Sequence, residues 1–94
     1  MRWQTTAEDA VKSLDYTVKD TAGIDDYQGW GTLLLYRAAD EQWAVLAWSY
    51  GSCSVCDGYE DMGDKERHDA FVSLIETFPN EVAARERWQN SKGW

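Results

Sequence analysis

Two runs of strand-forming residues, "WGTLLLYRA" at 30–38 and "QWAVLAWSY" at 42–50, constrain this chain more than any other feature. Rich in aromatic and aliphatic side chains and separated by the polar "ADE", they predict an antiparallel β-hairpin. On strand alternation, Trp30, Thr32, Leu34 and Tyr36 share one side of the first strand, and Leu33, Leu35 and Arg37 the other. The second strand divides into Trp43, Val45 and Ala47 against Leu46, Trp48 and Tyr50, so both faces of the hairpin are apolar. A two-stranded ribbon cannot leave either face in water. Helices must cover both, or one face meets another protein; limited helical cover makes a homodimer the expected assembly.

The helices can be named. "TTAEDAVKSLD" offers Thr5 or Thr6 as an N-cap with an acidic residue three positions on, and Ala7, Ala10, Val11 and Leu14 form one stripe, which predicts a helix over 6–15. "DKERHDAFVSLIETF" places Phe71, Leu74, Ile75 and Phe78 on a stripe and reads as one strong helix. A shorter helix follows Pro79, with Asn80 as its N-cap. "DTAGIDDYQGWG" has the glycine and aspartate density of a turn, with room for a further short strand at "IDDYQGW". The expected architecture is a small single α+β domain over residues 1–94: an antiparallel hairpin, extended by a third short strand if one forms, packed with two to three helices.

Charge narrows the function classes. Seventeen Asp and Glu against nine Lys and Arg give a net charge of −8 and an isoelectric point near 4.4. Such a chain repels nucleic-acid phosphates, so direct binding to DNA or RNA is not expected and a protein with a basic surface is the better partner. No apolar stretch approaches the length of a membrane span, and the expected setting is the cytoplasm.

Between the second strand run and the second helix lies "YGSCSVCDGYED", in which Cys53 and Cys56 form a C-x-x-C pair followed at once by carboxylates. Three readings stay open. As zinc ligands the two thiolates need two more donors; His68 is the lone histidine of the chain, and Asp57, Asp61 or Asp64, or the cysteine pair of a second copy, would complete a tetrahedron. As a redox pair they share with thioredoxin-like proteins the order strand, then C-x-x-C. The residues after Cys56, however, read as helical, and their one proline, Pro79, lies between helices. As packing residues they need only a tight turn, with Gly51 and Gly58 shaping it and Ser52 and Ser54 bonding locally. An enzyme using Cys53 or Cys56 with His68 ranks last, because no third group orienting the pair can be named.

The same segment, preceded by "DDYQGWGTLLLY", resembles one found in uncharacterised small bacteriophage and bacterial proteins that carry Tyr-Gly-Ser-Cys-Ser-x-Cys-Asp; Val55 stands where glycine is expected. The resemblance covers roughly residues 26–61 and implies a genomic setting without an assigned activity. In that setting, small acidic proteins often inhibit host defence or DNA-processing complexes, as anti-CRISPR or DNA-mimic proteins do. The expected function is therefore a noncatalytic acidic binding module. Asp57, Glu60, Asp61 and Asp64 would meet the partner, with Tyr59, Trp48 and Tyr50 as aromatic anchors. The alternative is a small zinc domain built on Cys53, Cys56 and His68.

Overall fold

The computed structural model describes residues 4–24, 29–50 and 63–91. In chain order the elements are α1 (Gln4–Lys12), β1 (Thr17–Ile24), β2 (Gly29–Arg37), β3 (Gln42–Tyr50), α2 (Asp64–Ser73), β4 (Ile75–Phe78) and α3 (Glu81–Asn90). The four strands form one antiparallel sheet in the order β1-β2-β3-β4. The class is α+β, and the hairpin of "WGTLLLYRA" and "QWAVLAWSY" is its centre, in register from Gly29 opposite Tyr50 to Arg37 opposite Gln42.

Both faces of that hairpin are covered. Leu33, Leu35, Ala44, Leu46 and Trp48 pack against Ala7, Ala10 and Val11 of α1, against Tyr16, and against Phe71 of α2. On the opposite side Leu34 and Val45 pack against Ala84 and Trp88 of α3, flanked by Ala22, Trp43 and Phe78. The sheet is thus the middle of three layers, and β2 is buried from Gly29 to Leu35. The sequence-based ground for self-association, an uncovered apolar face, is removed by this arrangement. Among the described residues, the buried Nε1 of Trp30 finds no hydrogen-bond partner.

Three expectations need correction. β1 occupies "TVKDTAGI", half of which reads as turn. Its glycine and aspartate are outweighed by Thr17, Val18, Thr21 and Ile24 once β2 supplies a partner, and the register shifts between Val18 and Asp20. The segment "DKERHDAFVSLIETF" is not one helix: α2 ends at Ser73 and the chain turns at Leu74 into β4. A spacing of three puts Ile75 and Phe78 on one side of a helix but on opposite faces of a strand, and each lands in a different core: Ile75 beside α1 and α2, Phe78 beside α3. Finally, α1 begins two residues before the predicted start, so Thr5 and Thr6 lie within it and not at its cap.

The ends of these elements are set by local chemistry. After α1, Asp15 adopts a left-handed φ of 65° and donates its N–H to Lys12 O at 3.0 Å, while Tyr16 N–H reaches Val11 O at 3.2 Å. This is the two-bond closure that usually takes glycine at the left-handed position. Asn80 caps α3 as its sequence position predicts, its side chain accepting from Ala83 N–H at 2.9 Å. Arg37 joins three parts of the chain. Its guanidinium grips Asp40 through Nε at 3.0 Å and Nη2 at 2.9 Å, donates to Leu14 O at 3.2 Å, and lies 4.7 Å from the centroid of the Tyr16 ring. Gln42 Nε2 ties the edge strand on by donating to Trp43 O at 2.9 Å and to Phe78 O at 2.8 Å.

Candidate functional site

The apolar stripe of α1 turns Ala7, Ala10 and Val11 into the core. The residues beside that stripe, Thr6 and Asp9 with Ser13 one turn further on, fall on the flank that meets α2. From α2 the facing side chains are Asp64, Arg67 and His68, at the spacing that shares one helical side. Between the two rows lies a half-open cleft of about 230 Å³ lined by Thr6, Asp9, Asp64, Arg67 and His68.

The polar contacts in this seam are specific. Arg67 Nη1 meets Asp64 Oδ1 at 3.3 Å, the guanidinium being mostly covered and the carboxylate fully exposed. Ser13 has one hydroxyl hydrogen and gives it to Ala10 O at 2.6 Å. The same oxygen lies 3.3 Å from His68 Nε2, across the seam between the two helices. The contact clips α1 to α2.

Among the described residues, the four arginines are all engaged in ion pairs: Arg37 with Asp40, Arg67 with Asp64, Arg85 with Glu81 and Arg87 with Glu76. Lys65 is similarly held by Asp69. Most of the described positive charge is thus met from within the chain, while Asp9 and Glu66 stand exposed on the α1 and α2 surface.

Of the residues singled out in the sequence, Asp64 opens α2 and forms one wall of the cleft. Asp57, Tyr59, Glu60, Asp61, Cys53 and Cys56 lie outside the described residues. Tyr50 is the last residue of β3, opposite Gly29. Trp48 is 1% exposed, its ring set edge-on to Phe71 with centroids 5.8 Å apart, so it belongs to the core and presents no surface to a partner in this conformation. His68 faces Ser13, and among the described residues no group of three or more His, Cys, Asp or Glu side chains is arranged to hold a metal ion.

Sequence reasoning missed Asp9 and Thr6, which the fold brings to Asp64. Their signal was present: Thr6, Asp9 and Ser13 recur at helical spacing along the border of the apolar stripe. Reading Thr6 as a cap hid it. Comparison of the chain with known protein families, with curated proteins and with solved structures returned no match.

Proposed function

We propose that this chain is a noncatalytic acidic binding module that engages a basic protein surface through the carboxylates of the α1 and α2 layer. The observation that carries the reading is the convergence of Asp9 and Asp64, distant in sequence, on one cleft, with Glu66 and Asp69 exposed on the same helix as Asp64. Asp64 and Asp69 each pair with a cation of α2, but the chain carries seventeen Asp and Glu against nine Lys and Arg, so the potential left for an approaching partner is negative. Carboxylates gathered around a cleft favour a protein partner over imitation of the DNA backbone, which calls for an extended row. In the setting implied by its cysteine segment, the module would act in the cytoplasm of a host cell as a phage-encoded inhibitor of a defence or DNA-processing complex. Among the described residues no helix is long and apolar enough to cross a membrane.

The test uses the chain and a variant carrying Asp9→Asn, Asp64→Asn, Glu66→Gln and Asp69→Asn. These charges are exposed and their pairs are surface pairs, so the fold should survive. Both proteins are used to capture partners from a host lysate, and association rates with each captured protein are then measured at low and high salt. The parent should associate about tenfold faster at low salt than the variant and lose that advantage at high salt. Equal rates and equal salt slopes would refute the proposal.

A further inference from the structure

An open sheet ends in two edges, and here they are β1 and β4. β4 is four residues long and runs into Pro79, whereas β1 is eight residues long, with Thr17, Lys19, Asp20, Thr21 and Gly23 exposed. An edge of that length is a template on which another strand can pair, a second copy of the same chain above all. Two features interrupt it at mid-strand. The pairing with β2 shifts between Val18 and Asp20, so Lys19 lies opposite no residue of β2, and its Nζ stands 5.5 Å from the centroid of the Tyr36 ring. One residue after Asp20, Thr21 donates its backbone N–H to the Asp20 Oδ1 at 2.9 Å. In an antiparallel ladder an N–H points either to the partner strand or away from it, and this one, held by an exposed carboxylate, points away from β2. It is the group that an arriving strand would need at the middle of the edge.

We propose that Asp20 closes the outer edge of β1 to a second copy of the chain, through its hydrogen bond to the Thr21 N–H. A strand pairing at this edge has to displace the carboxylate from Thr21, and the displaced aspartate loses a charge-assisted bond while the new ladder gains an ordinary one. In a two-fold arrangement of two β1 edges that exchange is made once in each copy. Removing the side-chain oxygen at position 20 leaves the N–H without its internal acceptor, and the edge then gains a bond by pairing where before it exchanged one. The inference rests on the edge of the sheet and is independent of the acidic-surface reading.

Sedimentation of the full chain and three variants over a range of concentrations tests it. Asp20→Ala should self-associate at least about tenfold more tightly than the parent. Asp20→Asn removes the charge but keeps an oxygen that accepts from the Thr21 N–H, and its association should stay close to that of the parent. Thr21→Pro in the Asp20→Ala background removes the N–H itself; an outward-facing position on an edge strand tolerates proline, and the association should be lost. Hydrogen exchange reads the same event at one atom. The Thr21 amide should slow with rising concentration in Asp20→Ala and keep one rate at all concentrations in the parent. An Asp20→Ala variant that sediments as the parent does, an Asp20→Asn variant that associates as tightly as Asp20→Ala, or a folded proline variant that still associates would overturn the proposal. So would a parent Thr21 amide that slows with concentration, a measurement that needs no variant to fold.

Discussion

Trp48 and Gly31 face each other across β2 and β3, and the indole lies where a side chain at position 31 would be: a Cβ built on Gly31 falls against ring atoms Cζ2, Cε2 and Cη2. The absence of a side chain at Gly31 is what allows Trp48, the largest fully buried side chain among the described residues, to occupy that space.

Gly31→Ala should accordingly destabilise the protein by about 1–3 kcal/mol through overpacking, since a ring enclosed on its other side by Phe71 has little room to yield. Urea unfolding of Gly31→Ala, Trp48→Leu and the double variant reads the coupling. The double variant should lose less than the sum of the singles; strict additivity would mean that the two positions do not share space.

Thr32 and Ser91 form a hydroxyl pair at 2.8 Å, both residues at most 1% exposed, and Ser91 Oγ also reaches Trp88 O at 2.7 Å. With the Ser91 hydrogen on Trp88 O, the Thr32 hydroxyl donates to Ser91. Ser91→Ala strands that donor in the core and should cost about 1–3 kcal/mol, part of which Thr32→Val restores in the double variant by removing the stranded group. Thermal melts of the two singles and the double check the order.

Arg37 donating twice to Asp40 holds the Asp40 carboxyl below its ordinary range, and Asp40 in turn raises the Arg37 guanidinium. A carboxyl whose pKa is lower folded than unfolded binds fewer protons in the native state. Its contribution is complete above the ordinary carboxylate range and disappears as pH falls through the lowered value. Arg37 stays charged across that window. Asp40→Asn should thus flatten the acid limb of the stability–pH curve relative to the parent and leave the difference between the two proteins constant near neutrality. Both partners are solvent-accessible, so the effect is modest and weakens with added salt.

Asp15 holds its left-handed φ of 65° without the freedom of glycine. Asp15→Gly keeps both closing hydrogen bonds of α1 and relieves the Cβ, so a gain of about 0.5–1 kcal/mol is expected, offset in part by the looser unfolded chain. A midpoint shift to higher urea at unchanged slope is the signature; a shift to lower urea would show that the Asp15 side chain contributes more than its backbone costs.

The central hairpin was legible because its runs are apolar on both faces, a pattern that permits little besides a covered strand pair. Its faces divide as alternation predicts: Leu34 and Val45 on one side, Leu33, Leu35, Leu46 and Trp48 on the other. β1 was hidden because its strand formers are mixed with Asp20 and Gly23, residues that acquire an extended conformation only from pairing with β2. β4 was hidden for a different reason. Ile75 and Phe78 continue the helical spacing from Phe71, and nothing local distinguishes one more turn of helix from a strand whose two ends serve two cores. At the candidate site Asp64 was visible as part of an acidic run, whereas Asp9 gained meaning only from the packing of α1 against α2.

The strand order has a consequence for how the chain assembles. β1, β2 and β3 are joined by neighbours in sequence and can close as two successive hairpins, with low contact order and early pairing. β4 pairs with β3 only after the twenty-four residues between Tyr50 and Ile75 have been looped out, an entropic cost that its four pairings and the Gln42 bridge to Phe78 must offset. Since α3 follows β4 after two residues and covers Leu34 and Val45, the second core cannot seal until that loop has closed. A chain emerging from the ribosome would carry a three-stranded ribbon with one apolar face still open, and the last third of the sequence would complete it.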